Sequence, residues 1–388
     1  MPPGVGRLAL LGLVVAAAPS MASAQADPTT DGASLDSPRI PGVPFEELQR
    51  RANEAWTDGR LDEALRFFRA GVELNPRWHE GWFYVGSIHY VRERFAAARD
   101  AFIRVAGAAP KSGAAWALLG LCEYRLAEYD RAFEALSRGL SLGLDSNEDI
   151  EGPTHYHLAL LRIRRRDFEG SVKHLLWLVR SQPPSPPLLD ACGLMILRRP
   201  TLPSEVPEAQ KDLVRTAGWA AYSTLAGRHD KARSLFEDLV ARYPEAPGVH
   251  GAYGLFLAGR GGSEEALAML IREVELFPDN ARAHLEIAFQ HLERGNAADA
   301  LPSARASVRL VPDVYSSHLA LGRALVAGDA LAESLAELEE AARLGPEVPD
   351  VYVALAQAYA RAGRPEDVER ARRKLRELDA ERQPYLSP

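Results

Sequence analysis

From residue 45 onward the apolar positions recur three and four apart in short stretches, separated by polar breaks of a few residues. The segment from His79 to Pro110 shows the form. Trp82, Val85, Gly86 and His89 fall on one stripe of a first predicted helix, and Ala98, Phe102 and Val105 on one stripe of a second, because residues three and four apart share a helical face. The same unit returns every 34 residues, closed by Pro76 and Pro110 and later by Pro244, Pro278, Pro312 and Pro346. A helical pair of this size cannot bury its apolar face alone, so the period predicts a stacked array in which each unit covers the next.

Each slot has a physical reason. Counting the closing proline as position 32, small residues stand at positions 8 and 20 (Gly86 and Ala98, Gly120 and Ala132) and let the two helices approach. A large residue at position 24, Phe102 or Leu136, fills the space beside that approach. Glycine near position 15, at Gly59, Gly227, Gly261, Gly295 and Gly363, helps the chain turn between helices. Proline at 32 lacks an amide hydrogen and obstructs further helix. The third unit keeps the frame with Trp116, Tyr129 and Leu144, and a weaker first unit runs from Phe45 to Pro76 with Ala52, Ala64 and Phe68 in place.

After Leu144 the register slips by five residues, and the stretch from Asp145 to Glu151 reads as an exposed loop ending before Gly152-Pro153. A fourth unit follows with Ala159, Phe168, Leu175 and Pro183. The pattern then fails. Leu188 to Arg199 predicts one amphipathic helix without a partner, and Pro200, Pro203 and Pro207 crowd the residues after it. The frame returns at Leu213 with Ala232 and Phe236, Ala266 and Leu270, Ala300 and Ala304, and loosens from Tyr315 and Pro349, where Ser334 and Val368 replace alanine.

With Trp, Gly and Tyr followed by Ala, Phe or Leu and Pro at these spacings, the chain resembles the tetratricopeptide repeat family over about residues 45–380. The resemblance implies an all-α, right-handed superhelical solenoid of about nine helix–turn–helix units with an interruption near 184–208. Four repeats would occupy 45–183, an irregular connector with one helix 184–208, and five repeats 209–380, with a tail at 381–388. The charged second helix of the last unit, from Glu366 to Ala380, suits the polar outer face of a terminal repeat.

The N-terminus changes the setting. Arg7 precedes an apolar run from Leu8 to Ala18, then Ala22-Ser23-Ala24. Such a run is short of the roughly 20 residues that span a bilayer, and the small residues suit a signal peptidase. Residues 1–24 therefore read as a signal peptide and 25–44 as a flexible leader, which points to a secreted protein of a bacterial periplasm. No later apolar run approaches membrane-spanning length, so no integral membrane segment is expected after processing. The formal net charge of −7 does not suit nucleic acid. The Arg164-Arg165-Arg166 run reads as a solvated helix end. Cys122 and Cys192 each sit in apolar helical sequence as buried thiols or as a disulfide, and the sequence does not choose between these.

No familiar catalytic spacing stands out: nucleophile elbows, phosphate-cradling glycine loops and paired-histidine zinc motifs are absent, and the repeats leave no segment long enough for a catalytic domain. A non-enzymatic protein without cofactor or metal is expected. His155 and His157, two apart on a helix, point away from one another, and His250, His284 and His318 occupy position 4 of successive units as packing residues.

In the family, positions 5, 9 and 12 of the first helix line a concave groove. Carried over, the resemblance implies a partner-binding groove of Trp56, Phe83, Tyr90, Tyr124, Tyr156 and Phe289, with Leu121, Leu160 and Leu319 between them and Asn53 and Arg323 as polar members. Aromatics with a polar edge are typical anchors for a peptide. The alternative is that these side chains pack on the insertion or on neighbouring helices. Groove position 9 offers Asn53, then Ser87, Leu121 and Leu160, so the Lys and Asn clamp of chaperone-binding members is not present. The function expected is an exported scaffold for a protein or peptide partner, in cell-envelope assembly; the alternative is a module whose groove aromatics stack on a glycan or cell-wall fragment.

Overall fold

The computed structural model describes residues 40–144, 148–261 and 264–382; the expected signal peptide, most of the leader and the end of the tail lie outside them. Among the described residues every regular element is an α-helix, apart from a 3-10 turn at Pro203–Glu205. The chain forms two compact units, Met1–Gly227 and Arg228–Pro388.

In the first unit, α1 (Phe45–Thr57) packs on α2 (Leu61–Leu74), α3 (His79–Val91) on α4 (Phe95–Ala108), α5 (Gly113–Arg125) on α6 (Tyr129–Leu142), α7 (Glu148–Arg164) on α8 (Phe168–Ser181) and α9 (Pro186–Ile196) on α10 (Glu208–Leu225). In the second, α11 (His229–Arg242) precedes four pairs: α12 (Val249–Ala258) with α13 (Glu264–Leu276), α14 (Ala281–Glu293) with α15 (Ala297–Leu310), α16 (Tyr315–Ala327) with α17 (Leu331–Leu344), and α18 (Pro349–Arg361) with α19 (Pro365–Arg382).

The close-contact slots behave as their residue types require. A Cβ on Gly120 would stand 2.7 Å from Leu136 Cγ, one on Gly254 2.7 Å from Leu270 Cγ, and one on Gly322 2.5 Å from Leu338 Cγ. Position 8 is therefore small because position 24 of its own pair occupies the space.

Position 15 is a backbone requirement rather than a glycine requirement. Gly59, Gly227, Gly261, Gly295 and Gly363 have positive φ, and so do Glu93 (58°), Ala127 (60°), Arg166 (62°) and Asp329 (62°) in the same slot of other units. The hydrogen bonds around them repeat: Ala127 N–H donates to Tyr124 O at 3.0 Å and Glu128 N–H to Glu123 O at 2.9 Å, as Gly59 and Arg60 do to Trp56 and Ala55. This is a Schellman termination of the first helix, whose left-handed residue costs a side chain on the order of 1 kcal/mol. Ala127→Gly should accordingly raise stability by up to about 1 kcal/mol after the entropy of the unfolded glycine is counted, read as a higher urea midpoint.

Position 4 carries a second recurring device. The Trp82 and Trp116 indole N–H groups donate to Pro76 O and Pro110 O, both at 3.1 Å. His250, His284 and His318 place Nε2 at 2.8, 2.9 and 2.8 Å from Pro244 O, Pro278 O and Pro312 O, and Tyr352 Oη reaches Pro346 O at 3.0 Å. A carbonyl only accepts, so Nε2 of each imidazole is the donor here. The slot asks for a long flat side chain with a donor at its tip, which ties the linker carbonyl to the next unit.

Three sequence expectations change. α9 does have a partner: it lies against α10 so closely that a Cβ on Gly193 would overlap the Val214 carbonyl oxygen, and one on Gly218 the Leu189 carbonyl oxygen. Helix α7 begins at Glu148, ahead of the Gly152-Pro153 pair expected to end a loop, with Pro153 inside it. Ile40 and Val43 pack on the core of α1–α4, so residues 40–44 are not a free leader. Cys122 and Cys192 are both free and buried, and burial pushes the Cys192 thiol up to about 12.

Candidate functional site

The aromatics expected in a groove divide into three groups. Trp56, on α1, is half-buried against Tyr84, with ring centroids 5.1 Å apart, and Phe83 on α3 meets Tyr84 edge-on at 6.0 Å and Phe102 at 5.9 Å. A second group joins three helices: Tyr124 at the end of α5 lies 5.5 Å from Tyr129 of α6 and 4.3 Å from His157 of α7, while Tyr156 meets the His157 ring at 5.3 Å. Burial pushes the Tyr124 and Tyr156 phenols well above their usual range, so both stay neutral. Phe289, half-buried on α14, and Arg323, exposed on α16, belong to the second unit.

Tyr90 is the exception. It is 4% exposed, packed edge-on against Phe95 at 5.5 Å within the core that holds Leu118, Leu121 and Cys122. No partner can touch it. Leu121 and Leu160 at 2% and Leu319 at 4% are buried too, as is Ser87. A stripe rotated about 100° from the core face of an isolated helix is open, but here the next unit covers much of it.

Sequence reasoning missed the arginines. Arg125 lies over Phe95 at 4.3 Å, Arg164 over Tyr129 at 4.7 Å and Arg198 over Phe168 at 4.5 Å, the first two arginines from the last residue of a first helix, Arg198 from the turn after α9, and each ring from the start of the preceding second helix. Arg165 covers Phe133 at 4.4 Å. Two of the three arginines of the run, Arg164 and Arg165, thus cover rings of the preceding repeat, while Arg166 is the exposed turn residue; such stacking is worth about 0.5–1 kcal/mol at exposed sites. A basic residue at the end of one first helix and an aromatic at the start of the preceding second helix was the available signal.

Beside these stacks lies a depression of about 560 Å³ lined by Glu128, Tyr129, Arg131, Leu161, Arg164 and Arg165. Arg164 also pairs with both oxygens of Glu205, at 2.7 and 2.8 Å. Burial works against the Glu205 charge, yet the Leu202 amide, the Thr201 hydroxyl and Arg164 hold its carboxyl below the usual range. The depression offers the Tyr129 ring and the guanidinium edges of Arg131, Arg164 and Arg165 beside the carboxylates of Glu128 and Asp130. Among the described residues no three His, Cys, Asp or Glu side chains converge to hold a metal ion.

His155 and His157 face different partners: His155 Nδ1 lies 3.0 Å from His174 Nδ1 and its ring stacks on Trp177 at 4.3 Å, while His157 Nδ1 approaches Pro153 O at 2.8 Å. Burial, helped by Lys173, holds His155 at about 4 and His174 at about 3. An unfolded histidine titrates near 6.5, so the unfolded chain takes up protons first as pH falls. Stability is full above about 6.5 and declines through the interval down to about 4. Thermal melts between pH 7 and 4.5 should show this decline, and a shallower slope in His174→Gln; equal slopes would refute the assignment to this pair.

A family model described as tetratricopeptide repeat matches residues 50–112, 90–147, 226–281, 257–315 and 285–349. No curated protein matches. Among solved structures, MamA (41-end) from Desulfovibrio magneticus RS-1 is similar with a TM-score of 0.41 and 18% identity, over 44% of this chain and 96% of that one. MamA AMB-1 is similar with a TM-score of 0.38 and 22% identity, over 44% and 92%. With the family model matched over more than half of its residues, and with turn, close-contact and linker-tie positions recurring at its period, the chain belongs to the tetratricopeptide repeat family.

Proposed function

We propose that this protein is an exported scaffold that holds a polypeptide partner on the aromatic face of its first unit, in assembly of the cell envelope. Tetratricopeptide repeats support protein–protein interaction. The observation that carries the reading to this face is the set of half-buried rings, Trp56, Phe83, Tyr124 and Tyr156, each fixed by ring neighbours. Rings held in place lose little entropy on binding, which is why such residues dominate interfaces. Export is supported by the Leu8 to Ala18 run and Ala22-Ser23-Ala24.

The test is capture from envelope extracts by cross-linking, comparing wild type with Trp56→Ala plus Tyr124→Ala. Capture should fall about tenfold or more while far-ultraviolet dichroism stays helical. Equal capture by both proteins would reject the site. Mass spectrometry of the periplasmic protein should find Gln25 as its first residue, and a retained leader would reject export by this route.

A further inference from the structure

The spacing between turn and second helix is nearly constant in this chain, with one departure. The second helix starts two residues after the left-handed turn residue at Gly59, Glu93, Ala127, Arg166, Gly227, Gly295, Asp329 and Gly363, and three after Gly261. Arg198 ends α9 with the same turn: its φ is 52°, its N–H donates to Met195 O at 3.1 Å and that of Arg199 to Leu194 O at 2.9 Å. Yet α10 starts only at Glu208. Residues 199–207 are therefore additional to what the helical pair needs.

This extra segment is not left in solvent. Leu202 is 2% exposed and Val206 7%, although neither belongs to an α-helix. Between them Glu205 accepts from Leu202 N–H and the Thr201 hydroxyl, both at 2.9 Å, and turns its carboxylate onto Arg164, the guanidinium that covers Tyr129 beside Tyr124. The anchoring pair is on the surface, with side chains 36% and 41% exposed. Exposed ion pairs contribute little and yield to a competitor of equal chemistry.

We propose that residues 199–207 are a strap seated on a peptide-docking surface beside α9 and Arg164 of α7, and that this surface takes in trans a turned peptide bearing a carboxylate flanked by apolar side chains, in place of Glu205, Leu202 and Val206. The proposal rests on the reading of this unit as peptide-binding and adds the chemistry of the peptide and the means of its regulation. Arg164 selects the carboxylate, and the rings of Tyr124 and Tyr129 form the wall beside it. Glu205 N–H donates to Leu202 O and Val206 N–H to Pro203 O, closing the 3-10 turn at Pro203–Glu205, so the incoming peptide takes the same turned conformation.

The strap itself supplies the probe. A fluorescein-labelled synthetic copy of residues 199–207 should bind a Leu202→Ser plus Glu205→Gln variant about tenfold or more tighter than wild type, as read by fluorescence anisotropy. Adding Arg164→Ala should remove that gain. A variant with wild-type dichroism that binds the peptide no better than wild type overturns the proposal. Should the double variant fail to fold, Glu205→Gln alone is used: amides of residues 201–206 should exchange with deuterium faster by about tenfold, with α9 unchanged, and unchanged exchange across 201–206 overturns it equally. Peptide binding without partner capture in the envelope test would sink the partner reading and leave the strap; capture without peptide binding would sink the strap alone.

Discussion

Glu273→Ala is expected to lower the stability of the second unit by about 3 kcal/mol, the upper end for a fully buried donor left without its acceptor, with less from its two part-buried partners. Glu273, on α13, has no exposed surface. Its Oε1 accepts from Gly248 N–H and Asn280 Nδ2 and its Oε2 from Gly251 N–H, all at 2.9 Å. Gly248 and Gly251 stand at the start of α12, where the first amides of a helix have no partner within it. The carboxylate satisfies two of them and complements the positive end of the helix dipole. Removing it deprives the buried Gly251 N–H and the part-buried Gly248 N–H and Asn280 amide of their acceptor. Glu273→Gln keeps the shape but turns one acceptor into a donor, so it should lose about half as much. Urea denaturation followed by circular dichroism measures both. A change below about 1 kcal/mol in the alanine variant would mean that the three donors find other acceptors.

Gly218→Val should be as damaging, at about 3 kcal/mol or more, the upper end of the cost of overpacking. A side chain at a close helix crossing can often be accommodated by rotating its neighbour. Here the neighbour is the Leu189 carbonyl, and backbone within α9 has no rotamer to change. The helices must separate, which exposes Leu188, Leu194, Val214 and Ala217, all now buried. Gly193 faces the Val214 carbonyl in the same way from the other side. Gly107, with nothing near its Cβ position, is the control, and Gly107→Ala should be neutral or slightly stabilising. A Gly218→Val change as small as that of Gly107→Ala would show that the crossing tolerates a side chain.

Most of the fold was legible because its determinants repeat. Gly86, Gly120, Phe102 and Leu136 stand at the spacing at which two helices of one pair must touch, and the structure brings them into contact. The turn slot was legible only where it holds glycine. Glu93, Ala127, Arg166 and Asp329 adopt the same conformation, but nothing in those residue types announces it. Helix α9 looked unpaired because its partner α10 begins after the strap, and because the 34-residue frame assigns the same stretch to the opening helix of the next repeat. Glu273 was hidden for a different reason. It stands where other units place Val105, Leu178 or Ala341 on the core face, and one polar intruder in an apolar stripe does not reveal its donors. The site was legible in part. Trp56, Phe83, Tyr124 and Tyr156 keep some exposure, while Tyr90 vanishes into the core because the first helix of the next repeat packs over it. Helical periodicity tells which way a side chain leaves its own helix. It does not tell how far the adjacent repeat reaches across.

The tie at position 4 uses tryptophan in the first unit and histidine or tyrosine in the second. All six tryptophans of the chain, Trp56, Trp78, Trp82, Trp116, Trp177 and Trp219, lie in residues 1–227. Excitation at the red edge of the absorption band therefore interrogates only that half, whereas ellipticity registers helices throughout. The native molecule thus carries its own optical label, and the Gly218 and Glu273 substitutions can be assigned to their halves by emission alone.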